Sequence, residues 1–295
     1  MTNKSALVIG CNGMVGTALM RVLAHSKTYF TIRGVDIETD MTIKSNTEII
    51  KDYDHIYHVA GKKGSPQTAR ERPADYLPML QFDANIIEAV GKYKPEWFLY
   101  TSSVGVYPPS ELFKEDDVWD KVPSENDMIP AYIKRMGELG CHAISKSYDY
   151  NNISIVRPAN IFGRGDNYDE GSMVIPSLIR KSYYEDVISV WGDGSEVRDF
   201  IYSKDVARGM VHMVTNKIND TVNLGSGIGY SISELANIIS KYSDKEVKYD
   251  VSKSGGDRKR VMDMTKALSY GFELKYGIEQ ALIETIEDYR NVQSD

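Results

Sequence analysis

Three glycines near the N-terminus constrain the fold of this chain more than any other feature. Gly10, Gly13 and Gly16 directly follow the apolar run 6–9 and open an amphipathic helical pattern. Glycines at this spacing let the backbone turn sharply and approach a pyrophosphate at the helix N-terminus, and the last one allows close packing of helix on sheet. An ordinary glycine turn is the alternative, but the position at the first strand of a βαβ pattern favours a dinucleotide site. The candidate cofactor-binding residues here are Gly10, Asn12, Gly13, Met14, Val15 and Gly16.

An acidic residue in the next predicted strand bears on the choice of dinucleotide. Asp36 ends that strand, 20 residues after Gly16. A carboxylate at this point accepts a hydrogen bond from the adenosine ribose 2′-hydroxyl and repels a 2′-phosphate. No basic residue follows directly in the segment 36–40. We therefore expect NAD as the cofactor rather than NADP, with a strand-end turn as the alternative role of Asp36.

Short apolar runs alternate with helical patterns over the first half of the chain. Continuous apolar strands separated by helices are typical of a parallel sheet covered on both faces. We therefore predict an α/β fold with a doubly wound parallel sheet. Beyond Pro158, Gly-rich turns separate short elements, which indicates a smaller second domain, so the predicted division is 1–158 and 159–295 with elements that can interleave. The runs read as strands are 6–9, 30–35, 55–60, 97–101 and 153–157.

Helical patterns fill the intervals between these runs. In the first domain they cover 14–25, 74–92 and 131–149. In the second domain Ser231 and Glu234 have the spacing of a capping box, in which each side chain accepts a backbone amide at the start of a helix. We expect a helix to begin directly after Ser231.

Composition excludes several classes of protein. The 295 residues include 42% hydrophobic and 26% charged residues with a net charge of −7, typical of a soluble globular chain. Without an excess of Lys and Arg, no nucleic-acid partner is expected. Two cysteines, Cys11 and Cys141, provide neither a disulfide framework nor a zinc site, so no metal is predicted. The first apolar run stops at Gly10, too short for a signal sequence or membrane span, and a cytoplasmic protein is expected.

Further motifs follow the glycine loop in a characteristic order. They are HVAGKK at 58–63, TSSVGVYP at 101–108, KRMGE at 134–138, RPANIFGRGD at 157–166 and GDGSEVRDFIYSKDV at 192–206. Over nearly the whole chain this order resembles the extended short-chain dehydrogenase/reductase family that modifies nucleotide sugars, particularly its GDP-fucose synthases and UDP-galactose 4-epimerases. The resemblance implies a Rossmann domain that binds NAD(P) and a smaller C-terminal α/β domain that binds the nucleoside diphosphate of the substrate.

The resemblance also implies roles for two residues at the reacting centre. Ser103 matches the catalytic Ser/Thr of the family and would hydrogen-bond the sugar oxygen that is oxidised or reduced; a strand-end turn residue is the alternative. Lys134 matches the lysine of the catalytic helix, where an ammonium lowers the pKa of a phenol and holds the ribose hydroxyls; a solvated lysine is the alternative. Further cofactor contacts are implied for Asp40, Met41, Ala60, Gly61 and Lys63.

The chain departs from the family at the catalytic tyrosine. The family motif Tyr-x-x-x-Lys places both side chains on one helix face, but Pro130 stands four residues before Lys134. Tyr132 is only two residues away and would point about 200° around a regular helix. A proline in the first turn could leave Tyr132 on non-helical backbone, turned inward as a displaced acid or base. An exposed tyrosine is the alternative.

Four residues match family positions that hold the diphosphate and the nucleoside. A guanidinium suits a diphosphate because it offers a planar fork of donors with permanent charge. Arg198 could instead pair with a neighbouring acid, and Trp191 could fill the domain junction rather than stack on a base. The expected partner is a nucleoside-diphosphate sugar. The four substrate-binding candidates are Asn160, Trp191, Arg198 and Arg258.

Two missing residues narrow the reaction. GDP-fucose synthases carry a Cys after the catalytic serine and a His before Val-Ile-Pro for their double epimerisation, whereas this chain has Gly105 and Met173 there. The sequence therefore favours an NAD-dependent nucleotide-sugar epimerase acting at C4 through a 4-keto intermediate. An NAD(P)H-dependent 4-ketoreductase and a catalytically impaired NAD or nucleotide-sugar binding protein are the alternatives. The resemblance further implies a homodimer formed through the helices 74–92 and 131–149.

Overall fold

The computed structural model describes residues 4–169, 171–253 and 258–294, and strands and helices alternate through most of it. The strands are β1 (Lys4–Ile9), β2 (Tyr29–Val35), β3 (His55–His58), β4 (Trp97–Thr101), β5 (Leu112–Phe113), β6 (Ile153–Pro158), β7 (Asn160–Phe162), β8 (Val187–Trp191), β9 (Val197–Tyr202), β10 (Thr221–Leu224), β11 (Gly229–Ser231), β12 (Glu246–Asp250) and β13 (Lys259–Met262). The helices are α1 (Met14–Ala24), α2 (Pro66–Glu71), α3 (Leu77–Tyr93), α4 (Met128–Tyr148), α5 (Val174–Tyr184), α6 (Ser203–Thr215), α7 (Ile232–Ser243), α8 (Thr265–Ser269) and α9 (Ile278–Ser294).

A six-stranded sheet in the order β10-β6-β4-β3-β1-β2 forms the centre of the molecule. Every pair of neighbours in it is parallel. Strands β3, β4 and β6 are buried almost throughout, as expected where helices cover both faces. The predicted α/β fold with a doubly wound parallel sheet is confirmed, and the five apolar runs overlap five of its six strands: β1, β2, β3, β4 and β6.

Two helical layers sandwich this sheet. On one face α1 packs against α6, and their apolar side chains, including Leu19 and Met210, join one core. On the other face α3 packs against α4, with Ile86, Val90 and Ile144 in a second core. Helix α4 begins at Met128, which is earlier than predicted. Because Tyr132 lies four residues inside it, this tyrosine stands on regular helical backbone.

The strand order reverses at β1 and thereby fixes the position of a cleft. Strand β2 lies on one side of β1 and β3 on the other. Where the order of a doubly wound sheet reverses, the loops that leave the carboxyl ends of the two neighbouring strands diverge and open a crevice. The loops after β1, β3 and β4 therefore border one site.

The remaining elements form the second region, and the chain crosses between the two. Strand β10 and helix α6 return to the central sheet although they follow residue 158, while β5 from the first half pairs with β13. Helices α5, α7 and α9 enclose the core of the second region. The predicted capping box is present, since the Ser231 hydroxyl accepts the Glu234 amide and Glu234 accepts the Ser231 amide. No helix within the described ranges is long and apolar enough to span a membrane.

Candidate active site

A cavity of about 1220 Å³ lies over the carboxyl ends of the central strands and extends into the second region. Its walls come from the loop after β1, the loop after β3, the segment after β4, the first turns of α4 and, across the cleft, β7, α5, β8 and β9. The sequence-predicted residues that line it are Gly13, Met14, Val15, Gly16, Ala60, Gly61, Lys63, Ser103, Lys134, Asn160, Trp191 and Arg198.

The glycine loop has the geometry of a phosphate cradle. Gly10 adopts φ +94°, and a Cβ there would come within 2.6 Å of the Ala60 backbone. A Cβ on Gly16 would lie 2.0 Å from the Gly10 carbonyl oxygen. At Gly13 the nearest atom would be 3.6 Å away, so that face of the loop is open. No side chain caps the amides of the first turn of α1. Open space before uncapped helix amides fits a dinucleotide pyrophosphate.

Asp36 lies beside this loop at the end of β2. Its carboxylate accepts hydrogen bonds from the backbone amides of Asn12 (2.7 Å) and Ile37 (2.9 Å). Glu38 accepts the Asp36 amide and adds a second carboxylate nearby. Burial and these two negative charges raise the pKa of the Cys11 thiol. The end of the cradle beside Asp36 therefore carries negative charge, which suits a ribose hydroxyl better than a 2′-phosphate.

Asp40 and Met41, two of the implied cofactor contacts, are each fixed by hydrogen bonds. Asp40 accepts hydrogen bonds from the amide and hydroxyl of Thr42, which hold the pKa of its carboxyl below the ordinary range. The Met41 side chain is buried in the core under α3, and its carbonyl oxygen accepts from Asn85. Of these two, Asp40 is the one with an exposed side chain.

Lys63 connects the loop after β3 to the second region. Its ammonium donates to Asp166 Oδ1 (2.6 Å) and to the Ile161 carbonyl oxygen (3.0 Å). Burial of the ammonium lowers the pKa of Lys63, and the Asp166 carboxylate opposes this shift. The other oxygen of Asp166 is buried and has no hydrogen-bond partner among the residues that the structure describes. Lys63 lines the cleft and connects its two sides through a partner 103 positions away in the sequence.

Ser103 follows β4 and faces the cleft. Its hydroxyl oxygen accepts the Gly105 amide at 3.0 Å and caps the short 3-10 turn Val104–Val106. This contact uses a lone pair of Oγ and leaves the hydroxyl proton available to donate. The preceding Ser102 donates to Glu138, which also binds Arg157 in a buried ion pair. The segment after β4 is therefore fixed against α4 and β6.

Lys134 extends from α4 to the cleft wall, and its ammonium is paired with a buried carboxylate. Its ammonium is 3.3 Å from Asp83 Oδ2 and 4.9 Å from the centre of the Tyr100 ring. Asp83 also accepts from His58 Nε2 and from the Tyr100 hydroxyl, both at 2.6 Å. The side chains of Lys134 and Asp83 are 7% and 2% exposed. We call these residues the Asp83 cluster: His58, Asp83, Tyr100 and Lys134.

The structure does not bring Tyr132 together with Ser103 and Lys134. Pro130 lines the cleft at the position of the family tyrosine, while Tyr132 is 41% exposed. The Arg135 guanidinium lies 5.7 Å from its ring. The reason is the regular helix from Met128, which turns Tyr132 away from the face that carries Lys134.

The substrate side of the cleft holds three of the four predicted residues. Asn160 donates to the Asp199 carbonyl oxygen, Arg198 donates to the Val197 carbonyl oxygen, and both line the cavity. Trp191 is 50% exposed, with the Lys253 ammonium 4.5 Å from its ring. The side chain of Arg258 is exposed and, in the described part of the chain, not part of the cavity wall.

Sequence reasoning missed several cleft residues. Arg260 lines the cavity and forms an ion pair with Asp127 at 3.2 Å, which joins the second region to the start of α4. Tyr76 also lines it, and burial together with the charges of Asp127 and Asp75 raises the pKa of its phenol. Asp83, the acceptor of Lys134, falls in the buried apolar stripe of α3 between Met79 and Ile86, and a charged residue in such a stripe is the one sequence signal for a special role. Arg260 and Tyr76 belong to no motif. They reach the cleft through contacts between residues that are distant in the sequence.

The fold and the glycine cradle define a Rossmann-type α/β protein with a second α/β region across the cleft. The chain belongs to the NAD dependent epimerase/dehydratase family, which it matches over residues 6–225. It is 29% identical over 304 residues to a GDP-L-fucose synthase of Sinorhizobium fredii, covering 98% of this chain and 96% of that protein. It is 27% identical over 291 residues to a dTDP-4-dehydro-6-deoxy-D-allose reductase of Streptomyces bikiniensis, covering 89% of each.

Solved structures show the same fold. A GDP-L-fucose synthetase from Naegleria fowleri bound to NADP has a TM-score of 0.88 and 21% identity, and the match covers 100% of this chain and 96% of that one. The resemblance to the nucleotide-sugar epimerase and reductase family is thus confirmed, and the protein is an enzyme of that family. Within residues 4–169, 171–253 and 258–294, no group of three His, Cys, Asp or Glu side chains is placed to hold a metal ion.

Proposed function

We propose that this enzyme reduces the 4-keto group of a nucleoside-diphosphate sugar with NADH. The observation that carries the proposal is the pairing of a hydroxyl donor, Ser103, with an ammonium, Lys134, at a cleft wall where Pro130 replaces the phenol. Both groups donate hydrogen bonds to an oxygen that gains negative charge, as a carbonyl oxygen does during reduction. Oxidation of an alcohol needs a base instead. The reductase among the relatives points the same way.

We propose that the two sides of the cleft have different roles. The glycine loop would hold the pyrophosphate and Asp36 the adenosine ribose, so that the cofactor lies along the carboxyl ends of β1, β3 and β4. Bound NADH supplies the hydride. Ser103 would orient the carbonyl oxygen of the sugar by a hydrogen bond. Lys63, which joins both sides of the cleft through Asp166, would exclude water at one end.

The nucleoside diphosphate would occupy the second region. Arg198 and Arg260 bring guanidinium groups to the same cavity, and Trp191 contributes a half-exposed ring to its wall. A planar cation fork binds a diphosphate, and an aromatic ring binds a base by stacking. Asn160 lines the same cavity and would contact the sugar-diphosphate junction. This arrangement supports a nucleoside-diphosphate sugar as the substrate.

For the cofactor we propose NAD(H) rather than NADP(H). The support is Asp36, whose carboxylate is fixed beside the loop by the Asn12 amide, together with the neighbouring Glu38. Two carboxylates repel a 2′-phosphate. A structural neighbour is bound to NADP, so the preference is tested directly by comparing NADH and NADPH as reductants of the same keto sugar.

An NAD-dependent C4 epimerase is the second candidate, and Asp36 favours it because epimerases work with NAD that they retain. The experiment separates the two. Small molecules released by denaturing the purified protein are identified by mass, and UDP-, GDP-, CDP- and dTDP-sugars are assayed with and without NADH. Net oxidation of NADH by a 4-keto sugar supports the reductase. Interconversion of two 4-hydroxy sugars without added cofactor supports the epimerase, and tight ligand binding without turnover supports a binding protein.

We further propose a homodimer formed through α3 and α4. The support is an apolar surface on these helices, where Leu80, Met136 and Leu139 are each at least 41% exposed. Helices that expose such a stripe bury it against a partner. Sedimentation equilibrium at several protein concentrations tests this, and a monomer at all of them would contradict it.

A further inference from the structure

The Asp83 cluster raises the question of what Lys134 does without a neighbouring phenol. In the described chain the hydrogen-bond acceptor of its ammonium is Asp83. A lysine ammonium has three N–H groups, so two remain for a ligand on the cleft side. The neighbouring Pro130 has no N–H or hydroxyl to offer there.

The charge states in the cluster follow from burial and hydrogen bonding. Burial disfavours a charged carboxyl, but Lys134 and the donors His58 and Tyr100 outweigh it and hold the pKa of Asp83 below its ordinary value. Burial lowers the pKa of His58, despite the opposing Asp83 charge, and raises that of the Tyr100 phenol. The cluster therefore contains one carboxylate, one ammonium, a neutral imidazole and a neutral phenol.

We propose that Lys134 itself donates the proton to the sugar oxygen during reduction, and that Asp83 is a positioning residue that holds its ammonium at the cleft wall. The proposal rests on the proposed function, reduction of a 4-keto sugar. Two features carry it: the short, buried contacts that fix Asp83 from three sides, and the position of Lys134 in the same cavity wall as Ser103.

The step balances with the groups named. Hydride addition from NADH forms the C–H bond at C4 and moves the π electron pair of the carbonyl onto its oxygen. That oxygen forms an O–H bond with a proton from the Lys134 ammonium, which becomes a neutral amine. NADH is oxidised to NAD, the ketone is reduced to an alcohol, and solvent returns the proton to the amine after the product leaves.

Asp83 suits this role better than a free carboxylate would. Its two oxygens are occupied by His58, Tyr100 and Lys134, so it is fixed in place rather than able to rotate toward substrate. A buried ammonium is costly without a counter-charge, and Asp83 provides one on the side away from the cleft. The groups that face the ammonium are Asp83 from α3, His58 from β3, Tyr100 from β4, and Glu138 and Cys141 from α4 itself.

The kinetic test uses a double-mutant cycle of Asp83→Asn and Lys134→Met across pH 6 to 10. In the wild type, kcat for the keto sugar falls at high pH with the loss of one proton. Asp83→Asn moves this fall to lower pH, because the ammonium loses its counter-charge. Lys134→Met lowers kcat by about 100-fold, and Asp83→Asn has no further effect in that background.

Matched variants separate positioning from stability. Asp205→Asn removes another buried carboxylate, one that binds Arg208 and the amides of Lys275 and Tyr276 away from the cleft. It is expected to lower the melting temperature and leave the pH profile unchanged. Should Asp83→Asn fail to fold, Asp83→Glu retains the charge but displaces it, so kcat falls while the high-pH fall keeps its position.

A second readout needs neither cofactor nor substrate. In apo protein labelled with [15N]lysine, the Lys134 ammonium resonance is assigned by its loss in Lys134→Met. We expect it to persist to higher pH in the wild type than in Asp83→Asn. If this holds while no keto sugar is reduced, the proposed function fails but the positioning contact stands. Identical titrations in both proteins overturn the proposal, as does a loss of the high-pH fall in Tyr76→Phe or Tyr132→Phe.

Discussion

The glycine cradle and the Asp83 cluster, which reaches the cavity wall through Lys134, belong to the same cleft but are assembled in different ways. The cradle comes from seven consecutive residues, Gly10 to Gly16, and its shape depends on backbone geometry and on missing side chains. The cluster joins β3, α3, β4 and α4, and its central ion pair spans 51 residues. The glycine cradle conforms to the family pattern, whereas the Asp83 cluster lacks the tyrosine that the family has beside this lysine. In the proposed reaction, cofactor binding therefore depends on a local segment and proton transfer on tertiary contacts.

The strongest test of the local region is Gly16→Ala. Its Cβ would lie 2.0 Å from the Gly10 carbonyl oxygen, so the loop must shift, at a cost of about 1–3 kcal/mol. We expect a lower melting temperature and no detectable NADH binding by fluorescence titration. Gly13→Ala is the matched control: its Cβ meets nothing closer than 3.6 Å, so it should fold normally and bind NADH more weakly. Equal melting temperatures for both variants would refute this account of the cradle.

The substrate side is tested by Arg198→Met. Loss of a charged donor to the diphosphate should raise KM for the nucleotide sugar by about 10- to 100-fold, while NADH binding is retained. Arg258→Met, which removes an exposed arginine from the same region, should have a smaller effect. If the two variants have equal KM values, the assignment of Arg198 to the diphosphate is wrong.

An effect of intermediate size is expected on the preference between NADH and NADPH when Asp36 is changed. Asp36→Asn keeps one oxygen acceptor, for either the Asn12 or the Ile37 amide, and removes the charge that repels a 2′-phosphate. The ratio of kcat/KM for NADPH over NADH should rise about ten-fold. Asp40→Asn, in the same loop, serves as the control and should change it less. An unchanged ratio in Asp36→Asn would show that this carboxylate does not select the cofactor.

The smallest predicted effect is on the pH dependence of the free energy of unfolding. Measuring it tests the Asp83 cluster without any ligand. Burial lowers the pKa of His58 in the folded state, so the unfolded chain takes up a proton first as the pH falls below about 6.5. Unfolding free energy should then decrease by up to about 1.4 kcal/mol per pH unit. Asp83, whose pKa is also lowered, extends the loss to more acidic pH.

Urea denaturation at pH 5 to 8 measures this dependence. His58→Asn, which can still donate to Asp83, should flatten the curve, whereas the exposed His142→Asn should not. Part of the slope will remain in His58→Asn, because burial lowers the pKa of His55 as well. A slope unchanged by His58→Asn would mean that His58 is not held neutral.

Features that depend on residues close in the sequence were predicted, whereas contacts between distant residues were not. The parallel sheet, the glycine loop and the capping box at Ser231 depend on neighbouring residues, and all were predicted. The position of Ser103 directly after β4 was predicted as well. The partners of Lys63 and Lys134 were not, because Asp166 and Asp83 are 103 and 51 residues away and belong to no motif. The sequence places the start of α4 too late, at residue 131 instead of Met128, because proline is typical of a first helical turn, and the prediction that Tyr132 turns inward depends on that start.

The measurement that tests the central claim most directly is the oxidation of NADH with 4-keto derivatives of GDP-, UDP- and dTDP-sugars, with the product identified by mass and NMR. The account predicts that one of them is reduced at C4 with consumption of one NADH per sugar. Interconversion of two 4-hydroxy sugars without net NADH consumption would contradict it.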